Sequence, residues 1–203
     1  MRLVLTRESV RQTLRWTERL LFTAGIALFV LCGFVLIDAW TFQRTARRQL
    51  ERLLTSRQEA AYPAPPKSPP PAVKGDVIGL IKIPRLGLSV IVVEGTGARV
   101  LRRAAGHIPG TALPGQPGNV GISGHRDTFF QPLENIRPND IITLTTWFGE
   151  YRYRVVSTEV VSPYDVAVLK TSRHEILTLV TCYPFYFVGP APDRFIVRAE
   201  RVT

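Results

Sequence analysis

Cysteine and histidine are scarce in this chain of 203 residues: it has 2 of the first and 3 of the second. Two cysteines, one of them inside a hydrophobic run, cannot build the disulfide framework that small secreted domains rely on. Histidines scattered at His107, His125 and His174, with isolated carboxylates, lack the spacing of a zinc site, so no metal and no cofactor is expected. Acidic residues are also few, 16 against 26 Lys and Arg, which leaves a formal net charge of +10. Nucleic acid is the first partner such a charge suggests. The sequence has no basic helix, RNA-binding aromatic stripe or zinc-finger spacing, and nucleic-acid binding is not expected.

What the chain does have is one long apolar run with much of its positive charge around it. Residues 1–73 carry 11 basic and 5 acidic groups, more than half of the net excess, which suggests anionic lipid headgroups. Leu20 to Ile37 is apolar apart from Thr23. At ~1.5 Å per residue it nearly crosses a hydrocarbon core of ~30 Å, and Ala39 to Phe42 complete the span. A signal-peptide core is shorter, at ~7 to 15 residues, so an uncleaved transmembrane helix is expected over 20–42, with Cys32 as membrane filler. Five arginines before the run (Arg2, Arg7, Arg11, Arg15, Arg19) match five after it (Arg44, Arg47, Arg48, Arg52, Arg57), and the positive-inside count is a tie. Residues 43–74 read as a stalk. Thr41 to Ala60 can continue the helix, and Tyr62 to Val73, with Pro63, Pro65, Pro66, Pro69, Pro70 and Pro71, is an extended polyproline spacer.

A domain over 75–203 follows. Apolar, β-branched runs alternate with Gly and Pro turns: Val77–Ile83, Ser89–Glu94, Asn119–Ser123, Ile141–Thr146, Tyr151–Val161, Ile176–Cys182 and Phe195–Val202. Seven such runs predict an all-β sandwich or barrel. Short helical turns are expected within Gly97–Ala104, Phe129–Ile136 and Tyr164–Leu169.

The chemistry gathers at the end of this domain. Pro184 stops the run that contains Cys182, so Cys182 sits at a strand end, and Arg194 stands at the start of the next strand. Paired as neighbours, the two strands bring a thiol and a guanidinium to one sheet edge. Thr178, Val180 and Cys182 share a face, while Leu179 and Thr181 point the other way. His125 is the expected imidazole partner, since it closes the small-residue strand Asn119-Val120-Gly121-Ile122-Ser123-Gly124, whose glycines would admit a ligand backbone. His107, among turn residues, is expected to satisfy backbone groups, and His174 to be an exposed loop residue. Asp127 is set aside as an orienting group, because neighbouring side chains on an extended chain diverge.

The segments Thr178-Leu179-Val180-Thr181-Cys182, Ser123-Gly124-His125-Arg126 and Arg194-Phe195-Ile196-Val197 together resemble the sortase family of cysteine transpeptidases. The likeness runs from about Val77 to Arg201, and Cys182-Tyr183-Pro184-Phe185 is most similar to the class D branch. The resemblance implies a closed eight-stranded β-barrel, a cytoplasmic N-terminal segment over 1–19 and a catalytic domain outside the cell. It implies Cys182 as nucleophile, His125 as general acid and base, and Arg194 as donor to the oxyanion or the substrate backbone. It further implies cleavage after Thr in a Leu-Pro-x-Thr-Gly or Leu-Pro-x-Thr-Ala signal and transfer to an amine acceptor such as a cell-wall precursor or another surface protein. Ser123, Thr178 and Thr181 match positions near the family's signal pocket. Two other readings stay open on residues alone: a hydrolysis-only cysteine peptidase, and a stalked β-barrel binding module with a merely buried Cys182.

Overall fold

The computed structural model describes residues 7–59 and 71–202. It divides into two units between Thr41 and Phe42. The first is the apolar part of helix α1 (Arg7–Glu59), long and apolar enough to cross a membrane. None of its most apolar window is buried, which argues against a core helix. The polyproline expectation falls, as far as Pro70, outside the described residues.

The second unit is a barrel of eight strands, β1 (Val77–Ile83), β2 (Leu88–Glu94), β3 (Ala105–His107), β4 (Asn119–Ser123), β5 (Ile141–Thr146), β6 (Gly149–Val161), β7 (Ile176–Tyr183) and β8 (Asp193–Val202). They close in the order β1-β2-β3-β4-β7-β8-β6-β5. The pairs β2–β3 and β4–β7 are parallel and the rest antiparallel. The strand that composition did not show is β3. Its three residues, Ala-Gly-His, carry none of the β-branched signal that marks the others. Short helical turns stand at α2 (Ala98–Leu101), Gln131–Asn135 and Val166–Leu169, inside the three segments expected. Alternate residues fill the core, among them Ile81, Ile83, Val90, Val92, Val120, Ile122, Leu144, Leu177, Leu179 and Val197.

Strands β1 and β2 bury both faces. Leu80, Ile91 and Val93 point away from the barrel core and are covered by Ala46 and Leu50, with Phe42 and Leu54 beside them. These four helix positions recur every four residues and form one stripe. Gln43 ties the helix to backbone, accepting from Ile91 N at 2.9 Å and donating to Arg103 O at 2.6 Å. The helical half of the expected stalk therefore packs on the barrel from Phe42 onward.

Outside the core, Arg85 clamps the approach to β5. Its Nε donates to Asp140 Oδ1 at 2.5 Å, and its Nη2 to Oδ2 at 2.5 Å and to Asn135 O at 2.6 Å. Arg85 hydrogen bonding is the main reason the Asp140 carboxyl is held below the usual carboxylate range, against the opposing effect of burial. A depressed carboxyl contributes stability above its unfolded value of about 3.9 and loses it as pH falls through the folded value. Asp140→Asn is thus expected to lower stability at pH 7 and to flatten the loss of stability between about pH 5 and pH 2. Thermal melts of the detergent-solubilised chain across that range check it; parallel curves for the two proteins would refute the clamp.

Candidate active site

Strands β4 and β7 run side by side in the same direction, and their last paired residues are Ser123 and Val180. Two bonds carry the pairing one step further: Gly124 N donates to Val180 O at 3.1 Å and Thr181 Oγ1 to Gly124 O at 2.8 Å. His125 follows Gly124 just past the end of β4, as Cys182 follows Thr181 within β7. Across the other side of β7, Cys182 is the Cα partner of Arg194. His125, just past the end of β4, Cys182 on β7 and Arg194 on β8 therefore form one row at one rim of the barrel. The face of Cys182 is that of Thr178 and Val180, outside the barrel, because Leu177 and Leu179 fill the interior. All three residues of the row are partly exposed.

Each position is braced from below or beside. Tyr183, Phe185 and Phe195 pack together under the rim, with Phe185 and Phe195 edge to face at 5.3 Å and Tyr183 and Phe195 stacked at 6.2 Å. Arg194 Nη1 donates to Asp193 O at 2.9 Å and Ala191 O at 3.3 Å, which holds the guanidinium by one nitrogen. The carbonyl of His125 accepts from Phe130 N at 3.0 Å. Gly124 is required by that same ring, since a Cβ there would stand 2.7 Å from Phe130. Gly121 is hemmed in similarly, at 3.1 to 3.2 Å, by Leu169, Thr111 and Ile108. The expectation that these glycines admit a ligand backbone is thereby corrected: what comes close is the protein's own side chains.

Thr178 and Thr181 also depart from expectation. Thr178 is fully buried and donates to Asn119 Oδ1 at 2.7 Å, and Thr181, 2 % exposed, spends its hydroxyl on Gly124. Neither hydroxyl is open to a bound peptide; Thr181 positions the Gly124 backbone and Thr178 the Asn119 side chain. Ser123 is partly exposed beside the end of the ladder. Asn119, a functional candidate that the sequence reading passed over, donates from Nδ2 to Val168 O at 3.0 Å and Lys170 O at 3.3 Å. It thus pins the β6–β7 connection over β4 and β7. The only sequence signal for this was an Asn opening a buried strand.

His107 is buried away from the rim. Its Nε2 lies 3.0 Å from Ala112 O and 3.0 Å from Thr111 Oγ1, the backbone duty expected of it. Its Nδ1 also pairs with Glu94 Oε2 at 2.6 Å. His174 and Asp127 are exposed. Among the described residues no group of three or more His, Cys, Asp or Glu is placed to hold a metal.

The barrel and the relatives it matches define a class, the β-barrel cysteine transpeptidases. The Sortase domain family model matches residues 81–202. Sortase D of Bacillus subtilis is 32 % identical over 191 residues, covering 90 % of this chain and 96 % of its own. A sortase D5 transpeptidase from Clostridium perfringens superposes with a TM-score of 0.67 at 26 % identity, over 80 % of this chain and 99 % of its own. A C. perfringens sortase C solved with the C-terminal cell wall sorting motif gives 0.60 at 25 % identity, over 78 % and 88 %. The chain belongs to the sortase family, is a cysteine transpeptidase, and resembles the class D branch.

Proposed function

We propose that this sortase is membrane-anchored through residues 20–42, with the N-terminus inside and the barrel outside, and joins surface proteins to an amine acceptor. The observation that supports the reading is the pairing of Cys182 with Arg194 across β7 and β8, with His125 two residues past the end of the adjacent strand β4, within a sortase barrel. A signal of the type Leu-Pro-x-Thr-Gly or Leu-Pro-x-Thr-Ala would lie along the outer face of β4 and β7, past Ser123. With its proton held by His125, the Cys182 thiolate attacks the Thr carbonyl carbon, and Arg194 donates to the oxyanion as the tetrahedral centre forms. The C–N bond then breaks, His125 gives its proton to the leaving amine, and a thioester to Cys182 remains. An incoming amine loses a proton to His125, attacks the thioester and releases Cys182, leaving a new amide bond. The C. perfringens sortase C solved with a C-terminal cell wall sorting motif supports a sorting motif as the class of substrate.

The test is incubation of the detergent-solubilised chain with both signal peptides, with and without an amine, followed by intact-protein and product mass spectrometry. An acyl adduct on Cys182 and an amine-dependent product support the proposal; release of hydrolysed peptide alone, whatever amine is added, would sink the transfer half of it. Arg194→Lys keeps the charge but loses the planar fork, and is expected to cut the acylation rate by roughly 10² to 10³ while leaving KM little changed. Single-turnover acylation at saturating peptide measures this, and a wild-type rate would remove Arg194 from the oxyanion.

A further inference from the structure

The strand ladder that sets the row stops one residue short of His125, and beyond it the residue that continues the join is Arg126. Its Nη1 donates to Pro184 O at 2.8 Å, and its Nη2 to Phe187 O at 2.7 Å and Gly189 O at 3.1 Å. The guanidinium also lies 5.8 Å from the centre of the Phe187 ring. These carbonyls belong to the connection between β7 and β8, the stretch that joins Cys182 to Arg194. A second tie lies further along: Tyr186 OH donates to Glu134 Oε2 at 2.9 Å and accepts from Gln131 Nε2 at 3.1 Å. The backbone of the connection is thus curled around one cation, and that cation is the neighbour of His125.

We infer that Arg126 is a positioning residue for transfer: it clamps the β7–β8 connection against the His125 segment and so governs how the acyl-enzyme is resolved. The inference rests on the transpeptidase reading above. With the acyl part of the signal on the outer face of β4 and β7, the leaving amine departs past the strand ends, over this connection. The acceptor amine takes the same place in reverse. Beyond the buried Phe185, Tyr186, at 77 % exposed, and Val188, at 100 %, make the connection an open wall held by the Arg126 and Tyr186 hydrogen bonds. Only a planar, multi-donor group reaches carbonyls from three residues at once. Once Arg126 is lost, water can solvate those carbonyls because they are near the surface, so the fold survives while the wall loosens. A loose wall misplaces a bulky amine more than it hinders water.

Arg126→Met keeps the apolar stem and removes the donors. In it, acylation is expected to slow about threefold, while the ratio of amine-ligated to hydrolysed product falls about tenfold. Arg126→Lys, able to satisfy part of the carbonyl set, should recover part of the ratio, and Tyr186→Phe should shift it weakly in the same direction. The readouts are single-turnover acylation with the Leu-Pro-x-Thr-Gly peptide, product partition against a fixed concentration of glycine oligopeptide, and the melting temperature of each full-length variant. An unchanged ratio in Arg126→Met overturns the inference alone. So does a ratio that falls only together with a melting temperature lowered by more than about 5 °C, which would mark a general structural role. A wild-type chain that forms no thioester overturns the transpeptidase reading and this inference together.

Discussion

Cys182→Ala is expected to keep its fold and to lose at least about 10⁴-fold in signal-peptide cleavage, with no acyl adduct detectable. The change removes one sulfur from a half-buried position on the outer face of β7 and leaves Cβ in place, so the aromatic cluster of Tyr183, Phe185 and Phe195 beneath it is undisturbed. The loss is therefore chemical. With no nucleophile there is no thioester, and what remains is whatever the bound peptide gains from orientation and the Arg194 donors. His125→Ala is expected to cost roughly 10² to 10⁴ by removing proton transfer to the leaving amine. The double variant should be no slower than Cys182→Ala, because residues that act as one unit do not lose rate additively. Peptide turnover followed by mass spectrometry, with circular dichroism to confirm the fold, decides the matter. Cleavage by Cys182→Ala within tenfold of wild type would place the nucleophile elsewhere.

The strand ends around the candidate row were legible in the sequence, since Cys182 and Arg194 lie one residue inside the ends of two strands of strong β composition and His125 two residues past the end of a third. Pro184 marks where β7 stops, and the apolar run from Phe195 marks where β8 takes over, although β8 itself begins two residues earlier, at Asp193. All seven strands expected from composition lie within two residues of their observed ends. What the sequence hid has a common physical origin, namely features decided by tertiary contact. Strand β3 has almost no propensity of its own and exists because β2 and β4 pair with its backbone from both sides. Thr178 and Thr181 look like polar pocket residues until Asn119 and Gly124 are seen to take their hydroxyls. Arg126 reads as one more surface arginine until the carbonyls of a distant segment close around it.

One hidden feature did leave a trace. The outward faces of β1 and β2 carry Leu80, Ile91 and Val93, so both strands are nearly continuous apolar runs, which means that both faces are covered. The cover is the stripe Phe42, Ala46, Leu50, Leu54, and a barrel cut to begin at Gly75 is expected to suffer for its loss. Ala46 and Leu50 are 4 % and 3 % exposed, and Leu80, Ile91 and Val93 would be bared with them. Area removed from water on this scale is worth of the order of 5 kcal/mol as an upper estimate, or roughly 15 °C in melting temperature for a domain of this size. Loss of Gln43 also uncovers the amide of Ile91 and the carbonyl of Arg103. A fragment beginning at Phe42 should therefore melt well above one beginning at Gly75, and Leu50→Asp in the longer fragment should abolish most of the difference by placing a charge in the same apolar seam. Equal melting temperatures for the two fragments would mean that the stripe adds nothing to the barrel. If instead the shorter fragment is the weaker, peptide turnover measured on it mixes partial unfolding with chemistry, and the effects expected at Cys182, Arg194 and Arg126 are to be read on chains that keep the helix.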